Sequence, residues 1–551
     1  MTENICLQPE ANGLERRRSH GESPHMKRRD VLKSALAGAT ALAAPRIARA
    51  AAPSVLKFIP QADLASLDPI WTTADVTRNH AHMVFDTLYG LDDKYLPHPQ
   101  MAEGHTVSDD KTQWDITLRD GLKFHDGTPV LAKDCVASIQ RWWKRDAFGS
   151  VLASATDEVS APSDKVIRFK LKKPFALVAD ALAVTTNMCC IMPERLAKTD
   201  PFQQVTEMVG SGPFKFVPAE RITGSRVVYE KFTGYLPRTG GPAEGTAGPK
   251  TVFFDRVEWT VQPDPATASA ALTSGEFDWW ENPTIDLVPQ LKSDKKLVVV
   301  VKDHTGEIGC MRFNELLPPF DNPAIRRVVV SAIDQDDYMQ TVAGAAPELI
   351  KTGVGLFVPG TPMANNIGVD TMKGTKDLGA LKKALIDAGY KGEKVVVLAA
   401  SNFPTINAEA QVGGDLLKKL GFNVDYQSLD WGTVVQRRAS KEPTDKGGWN
   451  IFFTFLGGTG NVTPASDITL RSDGKGWFGW PTDPVMETAR LSWFDASDLA
   501  GQQAACRAMQ TAFFQSPSYA PLGMYFQPTV FHSYLTGIPE GIPQFYRVKR
   551  V

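Results

Sequence analysis

The spacing of apolar residues along the chain predicts an alternation of strands and helices. Residues 55–59 form a short apolar run that is typical of a strand, and Pro69 lies in the loop that follows it. Residues 75–88 repeat apolar positions at helical spacing, and Gly90 ends the predicted helix. The first regular part of the chain is therefore predicted to be a βα unit.

Residues 93–199 show short alternating segments of a different kind. Residues 113–118 alternate apolar and polar positions, and Arg119-Asp120-Gly121 then predicts a hairpin turn that leads toward Phe124. Helical spacing follows at residues 131–145, and alternation returns at residues 165–171. We expect this stretch to be a small α+β insert.

From residue 377 onward, helices and strands are predicted to alternate regularly. The predicted order is helix to 389, strand 394–399, helix 405–420, strand 423–428, helix 431–439 and strand 449–455. This order favours a parallel sheet with helices on both faces. Ligands of such sheets bind at the carboxyl ends of the strands, which here means near residues 400, 429–431 and 456–461.

Length and composition indicate a globular protein with more than one core. The chain has 551 residues, of which 43% are hydrophobic and 22% are charged. A single core stops growing at about 250–300 residues, so at least two are expected. Arg238 to Lys250 is rich in Gly and Pro and is predicted to be a surface loop.

The charge of the chain argues against nucleic acid as a partner. The formal net charge is −2, but the first fifty residues are basic, and the remainder carries 51 Lys or Arg against 57 Asp or Glu. A mildly acidic chain lacks the basic stripe that contacts to phosphates require.

Residues 1–50 are predicted to be a signal peptide for export. Met26 begins a basic segment that leads into the apolar residues 31–44, and Ala48-Arg49-Ala50 is a cleavage site of the A-x-A type. Arg28 and Arg29 are similar to the twin-arginine export motif, whereas an ordinary secretory signal with a chance Arg pair is the alternative. Met26 supplies a complete leader by itself, so we expect it to be the true start. The mature chain is predicted to be soluble and periplasmic.

The cysteines do not indicate a disulfide framework or a zinc site. Six are present, at Cys6, Cys135, Cys189, Cys190, Cys310 and Cys506, and none has the Cys-x-x-Cys spacing. A bond between the adjacent Cys189 and Cys190 would strain the peptide between them, so two reduced, buried thiols are predicted.

Several segments resemble one family, the oligopeptide and dipeptide class of ABC-transporter solute-binding proteins. The most specific is Leu118 to Val130, LRDGLKFHDGTPV, which is nearly unaltered beside the family signature. Residues 89–110, 210–214, 272–278 and 323–334 are similar to other family stretches, as is Phe313-Asn314. The resemblance covers nearly the whole chain.

The resemblance implies an α/β, periplasmic-binding-protein-like fold with two lobes, the Venus flytrap arrangement, and an extra small α+β subdomain in the first lobe. Lobe I is assigned to residues 51–92, 200–300 and 510–551, the subdomain to residues 93–199, and lobe II to residues 301–509. The lobes are expected to be joined by close chain crossings that act as a hinge.

The resemblance also implies a receptor without enzymatic activity. It would enclose a small ligand between its lobes and deliver it to the permease subunits of an ABC importer, as a monomer and without a cofactor. Peptide-binding members hold the ligand's α-amino group with an Asp, and Gly458 occupies that position here. Because a buried ammonium needs an opposite charge, a free dipeptide is disfavoured, and a peptide-like, neutral or aromatic solute is favoured.

The candidate ligand-binding residues are mostly aromatic, which suits a ring-bearing solute. They are Trp71, Asn187, Met188, Cys310, Trp431, Phe455, Gly457, Gly458, Thr459, Asn461, Trp477 and Trp480. Each Trp has core packing as its alternative.

Two other functions remain open from the sequence. A secreted hydrolase is disfavoured because the chain has no G-x-S-x-G, H-E-x-x-H or G-x-x-x-x-G-K-[ST] motif. A carrier of nickel, haem or another metallophore is the second alternative, since related proteins bind such ligands. His80 and His82 are two residues apart on a predicted helix, and His98 and His105 flank a loop that offers no obvious third ligand.

Overall fold

The computed structural model describes residues 54–344, 346–496 and 498–551. The predicted signal peptide, residues 1–50, and with it Cys6, lies outside the described residues. Within the described part of the chain, no helix is long and apolar enough to cross a membrane.

Three sheets organise the described chain. The seven strands of the first sheet are, in spatial order, Leu297–Val301, Pro528–His532, Trp279–Trp280, Val55–Ile59, Arg256–Thr260, Arg226–Lys231 and Phe214–Phe216. The six strands of the second sheet are, in spatial order, Ile350–Lys351, Tyr519–Tyr525, Glu307–Phe313, Ile451–Gly457, Lys394–Ala400 and Asn423–Leu429. The insert sheet has four strands, in the order Ala102–Val107, Gln113–Leu118, Val166–Leu171 and Thr156–Ser160. Two small strand pairs join Tyr89–Leu91 to Pro97–Pro99 and Leu535–Thr536 to Lys549–Arg550.

Helices cover the sheets and connect their strands. They are Asp75–Val84, Ala132–Trp142, Ala147–Ala155, Val178–Ala181, Glu194–Ala197, Pro265–Thr273, Val288–Ser293, Pro323–Ala332, Gln335–Ala343, Leu378–Asp387, Pro404–Leu420, Trp431–Arg437, Pro484–Asp495 and Leu499–Gln515.

The predicted alternation after residue 377 is confirmed. Lys394–Ala400 pairs in parallel with Asn423–Leu429 on one side and with Ile451–Gly457 on the other. Six of the seven residues of Lys394–Ala400 are buried, as expected for a strand covered on both faces. The helix Pro404–Leu420 begins at a proline and ends at Gly421, whose φ of 99° only glycine adopts without strain.

Two other predicted elements differ from the structure. The prediction of a hairpin toward Phe124 is wrong, because strand Gln113–Leu118 pairs with Ala102–Val107 and Val166–Leu171 instead. The chain after Gly121 turns back in a tight loop, in which the Phe124 amide donates to the Thr128 carbonyl at 2.8 Å.

The helix predicted over residues 75–88 ends at Val84. The amide of Gly212 donates to the Val84 carbonyl at 2.9 Å, so this carbonyl has a partner outside the helix. Phe85 is already in an extended conformation.

The chain crosses between the first and second sheets at two adjacent places. Residues 302–306 lead from Leu297–Val301 to Glu307–Phe313, and residues 526–527 lead from Tyr519–Tyr525 to Pro528–His532. A Cβ on Gly306 would lie 2.9 Å from the Tyr525 carbonyl oxygen, so the crossings are in contact. Two short adjacent crossings are the arrangement in which lobes can hinge.

The residue ranges assigned to the lobes stay a prediction. Strand Tyr519–Tyr525 lies in the second sheet and strand Pro528–His532 in the first, so the return to the first sheet occurs at residues 526–527. Cys135, Cys189, Cys190, Cys310 and Cys506 are all free and buried, which confirms the prediction for the adjacent pair.

Candidate functional site

Two neighbouring cavities form a cleft between the elements of the two sheets. The small cavity has a volume of about 50 Å³ and the large cavity about 500 Å³. Both are lined by Thr73, Ile468 and Trp477, so they meet at these side chains. Thr73 belongs to the loop that follows strand Val55–Ile59 of the first sheet, whereas Trp477 lies after strand Ile451–Gly457 of the second sheet.

The second sheet places its residues at the small cavity through the carboxyl ends of its parallel strands. Phe455 to Gly457 end one strand, and Trp431 begins the helix that follows another. Asp430 caps this helix by accepting a hydrogen bond from the Thr433 amide, and Asn402 accepts one from the Trp431 amide at 2.8 Å. The location agrees with the general rule for ligands of open α/β sheets.

Arg438 is the main charged group on the second-sheet side of the small cavity. Its side chain is nearly fully buried, and the residue is 2% exposed. Its guanidinium carbon lies over four aromatic rings, at 5.4 Å from Trp431, 5.6 Å from Phe452, 5.6 Å from Trp477 and 4.8 Å from Phe478. Cation–π attraction to these rings stabilises the charge.

The hydrogen bonds of Arg438 leave most of its donors unused. Nη2 donates to the Thr72 hydroxyl at 3.1 Å, and Nε has no partner among the described residues. No described carboxylate lies within ion-pair distance of this guanidinium. Burial lowers the pKa of Arg438 to about 9, so it remains charged at neutral pH.

Asp75 is the acid on the other wall of the small cavity, at the start of helix Asp75–Val84. It forms an ion pair with Arg78, with 2.9 Å between Oδ1 and Nη1. Burial raises the pKa of Asp75 against the opposing effect of Arg78. Its charge is therefore already balanced, unlike that of Arg438.

Gly458 has no space for a side chain. A Cβ at this position would lie 2.1 Å from the Thr305 carbonyl oxygen, and the Gly458 amide donates to the Gly306 carbonyl at 2.7 Å. The loop is thus packed against the first crossing between the sheets. An acid in the position predicted for peptide receptors would not fit here.

Asn461, at the end of this loop, is held by hydrogen bonds. Its Nδ2 donates to Asp467 Oδ2 at 3.0 Å and to the Leu356 carbonyl at 3.3 Å, and the residue is buried. Burial raises the pKa of Asp467 to about 6. Asn461 lines the small cavity in a fixed orientation.

The large cavity combines aromatic rings with cations. Its aromatic lining residues are Trp71, Phe202, Trp477, Phe478 and Trp480. Its charged lining residues are Lys144, Arg145, Arg471, Lys475 and Lys441, and no acid is among the described residues that line it. Arg145 lies over Trp71 at 5.2 Å, and Lys441 lies over Trp480 at 4.9 Å.

Two residues of the large cavity have a left-handed backbone, which Asn187 adopts readily but which is uncommon for a bulky residue such as Trp480. Asn187 has a φ of 53° and Trp480 a φ of 46°. A bulky residue at positive φ costs on the order of 1–3 kcal/mol and is found mostly at functional sites.

The predicted site residues fall into several places. Trp431, Phe455, Gly457, Asn461 and Trp477 line the small cavity. Trp71, Asn187 and Trp480 line the large cavity together with Trp477. Thr459 lines a third cavity of about 120 Å³, on the side of the insert. Met188 and Cys310 are buried in the hydrophobic cores, and with Gly458 they line none of these three cavities.

Sequence reasoning missed Arg438, Asp75 and Thr73. Arg438 lies seven residues after Trp431, which places both on one face of a helix two turns apart, and this spacing was a usable signal. Nothing in the sequence indicates that Asp75 lines the same cavity, because Asp75 belongs to the wall on the first-sheet side, which is distant in sequence from Arg438.

The histidines considered as metal ligands lie apart, each with its own polar contact. His80 Nδ1 is 2.8 Å from the Tyr229 hydroxyl, and His98 Nε2 is 2.8 Å from Asp92 Oδ2. His82 Nε2 is 3.2 Å from the Thr185 carbonyl, and His105 Nδ1 is 2.8 Å from the Tyr89 hydroxyl. Among the residues that the structure describes, no group of three His, Cys, Asp or Glu side chains is arranged to hold a metal ion.

Solved structures share the fold over nearly the whole described chain. The AgaA binding protein of A. tumefaciens R10, in complex with agropinic acid, has a TM-score of 0.74 at 20% identity and covers 90% of this chain and 99% of its own. The DppA binding protein of Helicobacter pylori, in complex with the peptide STSA, has a TM-score of 0.74 at 21% identity and covers 90% of this chain and 98% of its own. These similarities confirm the two-lobed α/β fold.

Sequence comparisons agree with the structural ones. The family model described as "Bacterial extracellular solute-binding proteins, family 5 Middle" matches residues 97–478. A probable peptide ABC transporter periplasmic-binding protein, y4tO of Sinorhizobium fredii, is 35% identical over 95% of this chain and 99% of its own length. The glutathione-binding protein GsiB of Pectobacterium atrosepticum is 25% identical over 82% of this chain and 78% of its own length. These relatives are named as binding proteins, not as enzymes. The chain belongs to the bacterial extracellular solute-binding proteins of family 5, the solute-binding components of ABC importers.

Proposed function

We propose that this chain is a periplasmic receptor that encloses a peptide-like or aromatic small solute between its lobes and delivers it to the permease of an ABC importer. The observation that carries the proposal is the origin of the cleft walls. Thr73 and Asp75 come from the first-sheet side, whereas Trp431, Arg438 and Trp477 come from the second. A solute in the cleft would contact both sides, so its binding would favour closure.

Hydrogen bonds already connect the two walls at the cleft. Trp477 Nε1 donates to the Thr73 hydroxyl at 3.1 Å, beside the bond from Arg438 to Thr72. Both involve side chains that line or border the cavities. A solute that contacts the side chains of both walls would stabilise the same contact between the walls.

The type of solute follows from the lining residues and from the relatives. Aromatic rings line both cavities, and relatives are named for peptides and for glutathione. A free dipeptide remains disfavoured, because Gly458 provides no acid and Asp75 is already paired with Arg78. An ammonium left without a counter-charge in the cleft would weaken binding by several kcal/mol.

A thermal-shift panel tests the proposal. The panel contains free dipeptides, N-acylated peptides, aromatic acids, sugars and Ni²⁺ with and without histidine. A solute that binds the folded chain raises the melting temperature in proportion to ln(1 + [L]/Kd). We expect the aromatic or N-blocked compounds to raise it more than free dipeptides do. A flat response in every class would contradict the receptor function.

Two further measurements address the alternatives. Elemental analysis of the protein purified from its host would show stoichiometric nickel or iron if it is a metal carrier. Incubation of the panel compounds with the protein, followed by chromatography, would show new products if it is a hydrolase. We expect neither result. Export by the twin-arginine route and a monomeric state belong to the same proposal, and cell fractionation with size-exclusion chromatography measures both.

A further inference from the structure

We propose that the cleft is built for an anionic solute, whose acidic group binds Arg438 while its ring packs among the surrounding aromatic side chains. This inference rests on the proposed function and specifies the charge of the solute. Of the peptide-like, neutral or aromatic solutes that the sequence favours, it selects those that carry a carboxylate or a similar oxyanion.

The first step is that two buried cations, Arg438 and Arg312, lack a carboxylate partner within the described chain, and Arg312 instead donates to the Phe478 carbonyl at 2.6 Å and to the Ser518 hydroxyl at 3.0 Å. Arg141 pairs with Asp68 at 2.6 Å, Lys250 pairs with Asp86 at 2.8 Å, and Arg326 pairs with Glu315 at 3.1 Å. Arg438 is as buried as these residues, yet within the described chain it has no carboxylate partner. Removing a cation from water without a counter-ion is costly, and an anionic ligand would offset the part of this cost that the aromatic rings do not.

The second step is that Arg438 faces the place where a partner could arrive. It lines the small cavity together with Thr454 and Asn461, which are neutral hydrogen-bonding residues. Nε has no partner in the described chain, and Nη2 alone bonds to Thr72. A planar guanidinium with free donors matches an oxyanion through two parallel hydrogen bonds.

The third step is the charge of the adjoining large cavity. Lys144, Lys441 and Lys475 are exposed at its edge, and no acid lies among the described residues that line it. A cleft lined by one sign of charge attracts ligands of the opposite sign and raises their association rate. The two cavities therefore favour the same class of ligand.

Among the described residues that line the two cavities, Asp75 is the one acid, and it does not oppose this conclusion. Asp75 lies on the opposite wall and is paired with Arg78 at 2.9 Å. Arg438 is therefore the charged residue of the small cavity that has no ion pair with a described residue, whereas Glu281, Asp303 and Glu307 line an adjoining cavity that shares Asp75 and Gly457 with it.

The test compares two probes that differ in one group. N-acetyl-L-phenylalanine carries a carboxylate, and N-acetyl-L-phenylalaninamide carries a neutral amide at the same place. Neither has a free ammonium. Titration calorimetry at low salt should give a Kd at least about tenfold lower for the acid, which corresponds to one charge-assisted contact.

Three variants locate the effect. Arg438→Met should abolish the preference for the acid, and Arg438→Lys, which keeps the charge without the planar donors, should retain part of it. Arg437→Met is the matched control, because Arg437 is the preceding residue and donates to Gln427 at 2.5 Å and to the Gly447 carbonyl at 3.3 Å. It should bind both probes as the wild type does.

The melting temperature of the ligand-free variants separates an anchor from a structural arginine. Arg438→Met loses the contacts with four rings and the bond to Thr72, but it also removes a buried charge without a counter-ion, so the two effects should offset each other and leave the melting temperature close to that of the wild type. A large decrease would indicate that Arg438 serves packing, and it would contradict the inference.

Three binding results would overturn the proposal: equal affinity for acid and amide, a preference that survives in Arg438→Met, or no binding of either probe. In the first two cases the receptor function stands and only the charge of its solute is revised. If, in addition, no compound of the thermal-shift panel binds, the receptor function itself fails.

Discussion

The guanidinium of Arg438 donates a hydrogen bond to the hydroxyl of Thr72 at 3.1 Å. This contact joins the end of helix Trp431–Arg437, on the second-sheet side, to the loop that follows strand Val55–Ile59 of the first sheet. Trp477 and Thr73 form a second contact of the same kind beside it, also at 3.1 Å. Under the proposed function, solute binding and the approach of the two walls would therefore depend on the same side chains.

The indole N–H of Trp477 should contribute to solute affinity through this second contact. Trp477→Phe keeps an aromatic ring but removes the donor, and the loss of one hydrogen bond of about 1 kcal/mol should weaken binding roughly fivefold. Calorimetry with the most stabilising compound of the panel measures the change. Trp493→Phe is the control, since its N–H donates to the Met363 sulfur at 3.4 Å within elements around the second sheet. Equal losses in both variants would show that the contact between the walls has no special role.

Gly458→Asp would restore the acid found in peptide receptors, but we expect it to fail. The new Cβ would lie 2.1 Å from the Thr305 carbonyl, and forcing a side chain into a packed position costs about 1–3 kcal/mol. Urea unfolding should show this loss, and calorimetry should show no gain in dipeptide affinity. Gly460→Ala is the control, because its nearest atom is the Ser466 carbonyl oxygen at 3.8 Å. A stable Gly458→Asp protein that binds dipeptides would refute this account of the loop.

The buried ion pair between Lys250 and Asp86 should contribute strongly to the stability of the folded chain. Its atoms are 2.8 Å apart and both side chains are almost completely buried. Lys250→Met leaves a buried carboxylate without its partner and should reduce the free energy of unfolding by about 3–5 kcal/mol. Lys383→Met, which breaks an exposed pair with Asp387, should change it little. Similar urea midpoints for the two variants would contradict this ranking.

Glu409 should make the stability depend on pH. It is fully buried, and burial raises its pKa well above 4.5, with a further contribution from the Glu307 carboxylate. A carboxyl group with a raised pKa binds more protons in the folded chain than in the unfolded chain, so its contribution to stability falls as the pH rises above about 4.5.

Glu409→Gln removes this titration. The melting temperature of the variant should exceed that of the wild type by more at pH 8 than at pH 5, as differential scanning calorimetry can measure. Glu348→Gln serves as the control, since Glu348 is exposed. Parallel pH profiles for the wild type and Glu409→Gln would show that the carboxyl group is not buried as described.

The sequence predicts the scaffold better than the site, for a physical reason. The strands after residue 377 are visible because helical and strand periodicities alternate there, and the structure has them within two residues of the predicted bounds. The Trp431 helix and the 456–461 loop were found because the carboxyl ends of parallel strands lie together. Asp75 and Thr73 were missed because their contact with these elements depends on how two sheets distant in sequence come together. Met188 and Cys310 illustrate the converse, since residue type alone does not distinguish a pocket wall from a core.

Native mass spectrometry of the mature protein isolated from its own host tests the central claim most directly. We predict one bound small molecule per chain, lost on unfolding, with a mass and fragmentation that identify an acidic, ring-containing or N-blocked peptide-like solute. A chain that carries no small molecule, and that no fraction of the host's solutes stabilises, would contradict the claim that it is a solute receptor.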